Sequence, residues 1–254
     1  MNIGVCKLCL QEKELLKKSH IFPEFLCRPW KIDSKSFTKV KLDEFSRISE
    51  IQTNPFVKDS LCESCDTVII SGYETYIQQY MFLPLKRVFS DFPNEAIGPV
   101  PINANPGKVK LFLLSILWRC TLKSDFSYVK LGTHEEKIRK MLLNSDPGKS
   151  DDYPFSIFYL AGDPESQIVP FSNMLLPPFH QRKGSSHYYI FLIPEFFVRI
   201  NISKQGFQKK TIDYPIDENN FIVHVIRGKD SDEFSLKILE VYRGALRKRR
   251  NKAP

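Results

Sequence analysis

Four cysteines in two pairs are the residues whose types and spacing most directly promise chemistry. Cys6-Lys7-Leu8-Cys9 and Cys62-Glu63-Ser64-Cys65 are both C-x-x-C. Two intervening residues let both thiolates of a pair face one ion from a tight turn, and two such turns complete a tetrahedral S4 site. The spacing therefore predicts one structural Zn²⁺ on Cys6, Cys9, Cys62 and Cys65. The alternatives are two unrelated pairs or a redox C-x-x-C. Cys27 and Cys120 are left over. Cys120 falls in an apolar stretch and reads as a small core residue.

Between the pairs lies Lys17-Lys18-Ser19-His20-Ile21-Phe22-Pro23. A histidine can act as a general base because its ordinary pKa, about 6.5, lies near working pH. Asp66 follows Cys65 directly, and Glu74 lies eight residues further on. Two helical turns separate them, so both carboxylates fall on a similar face. Carboxylate oxygens are hard ligands suited to Mg²⁺. The structural alternatives are a helix N-cap at Asp66, a solvated Glu74 and a hydrogen-bonding His20.

The order C-x-x-C, Ser-His-Ile-x-Pro, then Leu-C-x-x-C and a polar residue resembles the HNH (ββα-metal) endonucleases that carry a zinc knuckle. It also resembles a group of HNH-like bacterial proteins with Ser-His-Ile-x-Pro in place of Asp-His or His-His. The resemblance covers about residues 5–80. It implies a metal-dependent endonuclease acting on DNA, with His20 as general base. It also implies a catalytic Mg²⁺ or Mn²⁺ on Asp66, with Glu74 as a second candidate ligand, and a setting in bacterial or phage defence. The chain departs from that pattern at Ser19, where a metal ligand is expected. The intermediate Asn is also out of place, Asn54 being the nearest and somewhat early. Asp59, Asp66 or Glu74 could rebuild the metal site. A second reading follows from these departures: a non-catalytic zinc module that binds nucleic acid or a partner protein. A third is an effector that works only inside a complex.

Lysine and arginine number 37 against 29 acidic residues, a net charge of +8. A positive field draws in polyanions, which makes nucleic acid the first partner to consider. Lys17 and Lys18 flank His20. Arg247, Lys248, Arg249 and Arg250 form a denser C-terminal cluster able to grip a phosphate backbone without reading sequence. The other histidines, His134, His180, His187 and His224, lie far apart without metal spacing and read as structural or surface residues. The G-x-x-x-x-G-K-[ST], G-x-G-x-x-G and G-x-S-x-G patterns are missing from the sequence, which removes the commonest nucleotide-binding and hydrolase alternatives.

The elements that must position these residues follow from patterning. The expected fold is α+β: an N-terminal zinc-stabilised ββα (HNH-like) unit, central helices and a β-rich C-terminal region. Residues 1–90 form the zinc-knuckle unit, with 31–60 a polar insertion upon it. Residues 91–254 form a helical then β-rich domain with a basic tail. Helices are expected over 67–81, 108–123 and 133–143, the last capped by Thr133. A Pro-, Asn- and Gly-rich loop is expected over 92–107 and a turn at Asp146-Pro147-Gly148. Strands are expected over 155–160, 187–193, 196–202 and 221–227, and a basic helix over 232–252. The longest apolar stretch, 188–200, contains Pro194, Glu195 and Arg199 and is too short to cross a bilayer. Residues 1–17 have no apolar leader core, so a soluble cytoplasmic protein without a membrane partner is expected.

Overall fold

The computed structural model describes residues 2–27, 37–41, 47–51, 54–91, 100–161, 174–193, 196–203, 216 and 221–227. Helix and sheet are mixed, as expected for an α+β chain. The tail with Arg247 to Arg250, and the basic helix expected over 232–252, lie outside the described residues.

The chain opens with a hairpin of β1 (Asn2–Val5) and β2 (Glu12–Leu15), and the first cysteine pair sits in its turn. A two-residue strand, β3 (Ser19–His20), carries the candidate base. Next come β4 (Phe37–Lys41) and β5 (Arg47–Ile51), an antiparallel hairpin. Then β6 (Phe56–Val57) returns antiparallel to β3, with Ser19 opposite Val57 and His20 opposite Phe56. The second cysteine pair is laced to the first hairpin: Leu16 N donates to Leu61 O at 2.8 Å, and Lys7 N to Ser60 O at 2.8 Å.

A long helix, α1, occupies 64–91. Its segments Ser64–Ile70 and Gln78–Phe82 are wound as π-helix, and Ser71–Ile77 and Leu83–Asp91 as α-helix. The apolar spacing seen in 67–81 buries Ile70, Tyr73 and Ile77. Pro84 has no N–H to donate back into the preceding turn, and the wide turns just before it absorb that loss. Gly72 is on the open side: a Cβ there would meet nothing within 4 Å.

Helix α2 (Pro106–Thr121) begins inside the loop expected over 92–107. Asn105 caps it, its Oδ1 accepting from Lys108 N at 3.0 Å, and Pro106 occupies the first turn, where a missing N–H costs nothing. It is buried nearly all round, Leu111 to Cys120 included. Helix α3 (His134–Asn144) starts one residue after Thr133, whose side chain makes no cap. The turn before it already serves the first amides: His134 N donates to Leu131 O and Glu135 N to Gly132 O.

After the turn at 146–148, where Gly148 N donates to Asp146 Oδ1 at 2.9 Å, the chain becomes sheet. β7 (Val100–Pro101), β8 (Phe155–Ala161), β9 (Met174–Lys183), β10 (Ser186–Ile193), β11 (Phe196–Asn201) and β12 (Ile222–Arg227) join β4 and β5 in eight strands. Their order is β5-β4-β9-β10-β11-β8-β12-β7. β4 runs parallel to β9, so residues 37–41 and 47–51, within the stretch 31–60 read as an insertion on the zinc unit, extend the large sheet. β9 has no counterpart among the expected strands because Pro177 and Pro178 interrupt it. The register of β9 on β10 shifts near those prolines, between Ile190 and Leu192.

Among the described residues, a shared core joins the N-terminal unit, the helices and the sheet. Ile21 and Phe22 from the N-terminal unit share it with Phe112 and Trp118 of α2 and with Phe191 and Phe196 of the sheet. The Phe82 ring of α1 meets Phe196 edge-on at 4.8 Å between centroids.

Candidate metal centre and adjoining polar cluster

Cys6, Cys9, Cys62 and Cys65 come together, their sulphur atoms all within 4.8 Å of one another. Cys9 Sγ lies 4.0 Å from Cys62 Sγ. A tetrahedral ion with bonds of about 2.3 Å needs sulphurs about 3.8 Å apart, so the spacing fits. The first pair is held by the hairpin turn, with Leu10 N donating to Cys6 O at 2.8 Å. The second is held by the start of α1, with Asp66 N donating to Cys62 O at 3.1 Å. The Cys62 amide also points at Cys6 Sγ, 3.4 Å away. The four cysteines can hold one metal ion, and the set is compatible with structural zinc. Cys27 and Cys120 are buried and stand outside the cluster.

Burial pushes the Cys6 and Cys65 thiols up, and neighbouring cysteines raise Cys65 further. At Cys62 the effect of burial is outweighed by hydrogen bonds, chiefly from Ser64, which bring the thiol down to about 6. Four sulphurs this close cannot all be thiolates without a cation to offset their repulsion. Helix α3 braces the site from behind. Arg139 Nη1 donates to Leu8 O inside the first knuckle, and its fork grips Glu136 at 2.7 and 2.8 Å.

Beside this centre β3 lies against α1. Ser19 is buried, and its hydroxyl donates to Asp66 Oδ1. His20, its neighbour on the strand, is exposed. Glu74, two turns along α1, accepts from Arg119 Nη2 at 2.8 Å. Arg119 in turn donates through Nη1 to the His20 carbonyl and through Nε to Ser115 O at 3.3 Å. Burial lifts the Glu74 carboxyl above its ordinary value. Arg119 and His20 oppose that rise, and the Asp66 charge adds to it. His20 and Asp66 are thus each close enough to act electrostatically on Glu74.

Asn54 is buried and donates through Nδ2 to Phe22 O at 2.6 Å, pinning the segment just after His20. Lys18 stands over the Phe56 ring at 4.9 Å and Lys123 at 5.5 Å, so two ammonium groups flank the strand opposite His20. Lys123 Nζ also donates to Phe56 O at 3.2 Å. Lys17 is exposed on the loop before β3. Asp59, another candidate, is exposed in a turn with φ +48°.

Comparison with protein families, curated proteins and solved structures gives no match for this chain. The site is read from its residues alone.

Sequence reasoning missed Arg119 and Lys123. Arg119 leaves one signal: it is the single arginine in a helix that otherwise runs apolar from Leu111 to Trp118. The histidines at 134, 180 and 187, read as isolated, line one pocket. The side chain of His224 lies outside the described residues.

Proposed function

We propose that this protein is a metal-dependent endonuclease that hydrolyses phosphodiester bonds in DNA, built on a zinc-stabilised HNH-like unit. One observation carries the reading. The Ser19–Asp66 hydrogen bond fastens the strand bearing His20 to the helix bearing Asp66 and Glu74. The strand that carries the proposed base and the helix that carries both carboxylates are thereby joined, beside a four-cysteine centre suited to zinc.

The donors left over suit a hard cation. Asp66 spends Oδ1 on Ser19, and Glu74 spends Oε1 on Arg119. What remains is one or two carboxylate oxygens, matching a Mg²⁺ or Mn²⁺ that keeps most of its waters. When bound, such a cation supplies Lewis-acid stabilisation to the phosphate. The chain's residues do the rest. His20 takes a proton from the attacking water. Arg119 holds the His20 carbonyl and Asn54 the Phe22 carbonyl two residues on, which steadies the backbone at and just after His20. Lys18 offers positive charge to the DNA backbone, and Lys123, which also pairs with Asp125 at 3.3 Å, adds to it. Cys6 and Cys9 of the hairpin and Cys62 and Cys65 at the start of α1 would hold the zinc between them, which would couple metal binding to folding of this unit. The HNH-like resemblance supports a setting in bacterial or phage defence. No described helix is long and apolar enough to cross a membrane.

A second reading, a non-catalytic zinc module that binds nucleic acid or a partner protein, draws on the same hydrogen bond. Ser19 occupies the position of a metal ligand yet spends its hydroxyl on Asp66. Plasmid cleavage in Mg²⁺ and in Mn²⁺, by zinc-loaded wild type and His20→Ala, separates the two. The nuclease reading expects cleavage by wild type alone, with zinc content and fold equal in both. Cleavage by neither, with DNA binding intact, overturns it in favour of the binding module.

A further inference from the structure

Three histidines distant in sequence, His134, His180 and His187, line one open pocket of about 600 Å³. Two of them belong to the β9–β10 hairpin. Its register sets His180 opposite Tyr189 and puts His187 two residues along, on the same face. Their rings stack at 5.1 Å between centroids, and His180 Nε2 lies 3.0 Å from His187 Nδ1. One nitrogen must donate and the other accept, so the pair needs only one shared proton to be satisfied. His134 opens α3, with Nδ1 3.0 Å from the Tyr153 hydroxyl.

Tyr128 and Lys130 come from the segment between α2 and α3. That segment is not loose. The Tyr189 hydroxyl donates to Lys130 O and accepts from Lys130 N, both at 2.9 Å. The wall carrying Lys130 is therefore tied directly to the strand carrying His187.

The lining is one-sided in charge. Among the described residues it contains Lys130 and three histidines, and no aspartate or glutamate. A metal cation entering the His180–His187 pair would meet Lys130 with no carboxylate among the described lining residues to offset it, whereas an anion would be attracted by Lys130 and accept from the imidazoles. Burial, with the His187 charge beside it, holds the His180 imidazole below its ordinary value. A negative group beside the pair would oppose that shift and favour the charged form of His180. The volume falls in the range of sites for small organic ligands, well above what a lone inorganic ion needs. Tyr128, 45 % exposed, presents an aromatic surface to such a ligand.

We infer that this pocket binds a phosphate-bearing small molecule of nucleotide size, its phosphate held by Lys130, His180 and His187. The inference is independent of the nuclease reading, since none of these residues belongs to the His20 cluster.

The test uses the zinc-loaded full-length chain, with AMP, inorganic phosphate and adenosine as probes. Isothermal titration calorimetry is combined with NMR of the histidine imidazole signals. AMP is expected to bind once per chain and to move two or more imidazole signals. His187→Gln and Lys130→Ala are each expected to weaken it about ten-fold or more, as loss of a charge-assisted hydrogen bond requires. AMP binding tighter than phosphate supports a nucleotide-sized ligand, and equal binding of phosphate overturns it in favour of the free anion. Unchanged AMP affinity in both variants overturns the inference. So does adenosine binding as well as AMP, or an absence of wild-type imidazole shifts at millimolar AMP. The wild-type spectra keep the test decisive even if a variant fails to fold. Preferential uptake of Ni²⁺ or Zn²⁺ by the His180–His187 pair, with no response to AMP, also overturns it.

Discussion

Arg119 Nη2 lies 2.8 Å from Glu74 Oε1, joining α2 to α1 at the edge of the core. The arginine side chain is 2 % exposed and the glutamate 21 %. The same guanidinium holds the His20 carbonyl. One buried cation therefore ties the candidate base's strand to the helix that carries both candidate carboxylates. Such pairs contribute little net stability when intact, because desolvation offsets the attraction, but breaking one is costly.

Arg119→Ala is accordingly expected to lower stability by about 3–5 kcal/mol, since it strands a carboxylate and a carbonyl. Arg119→Met, which fills the space without a charge, leaves Glu74 in the same position and is expected to be similarly harmful. Adding Glu74→Gln to Arg119→Met removes the stranded charge and is expected to recover part of the loss. Urea denaturation of the three variants checks this. Equal stabilities for Arg119→Met with and without Glu74→Gln would mean that the pair is not coupled.

The metal centre makes a stoichiometric prediction. Purified protein is expected to contain one zinc per chain by elemental analysis. Cys62→Ser or strong chelation is expected to unfold the N-terminal unit, since apparent binding energies for such sites are on the order of 10–16 kcal/mol. Amide spectra then lose signals from residues 2–20 and from the start of α1. Retention of a native spectrum without metal would show that the cysteines are not a structural centre.

Lys18 and Lys123 flank Phe56 from two different segments. If both lie on the DNA path, each substitution by alanine weakens binding to any sequence alike and lowers the salt slope of log K by about one. Fluorescence anisotropy across a salt series measures it. A slope unchanged in the double variant would place the DNA elsewhere on the surface.

Asp152 offers a pH signature. Its carboxylate accepts from Lys137 Nζ and from Lys149 N at 3.1 Å. The Lys137 hydrogen bond leads in holding it below the usual carboxylate range, with burial opposing. A carboxyl with a lower pKa folded than unfolded stabilises the fold above the unfolded value, and that stability is lost as pH falls through the folded one. The difference in melting temperature between wild type and Asp152→Asn is therefore expected near neutrality and to shrink in acid, below about pH 4. A difference constant down to pH 2 would contradict the assignment.

What could be read from the chain alone was local. The two C-x-x-C pairs place each pair of thiols on one turn, because two residues span a turn whatever the rest of the fold does. The apolar spacing of 67–81 and of 108–123 marks helices for the same reason, since side chains three and four apart share a face. Four of the strands were legible from β-branched and aromatic runs. β9 was not, because its prolines argue against a strand and only pairing with β10 and β4 overrides them. The placement of β4 and β5 in the large sheet was equally hidden, since no local pattern names a strand's partner. The same holds for the polar cluster. Sequence singles out His20, Asp66 and Glu74, but Arg119 reaches them across 99 residues from His20 and 45 from Glu74. The three-histidine pocket depends wholly on a hairpin register and on a loop tied to it by Tyr189. Chemistry within one turn is written in spacing. Chemistry assembled between segments is decided by which apolar faces bury one another, and that decision belongs to the whole core.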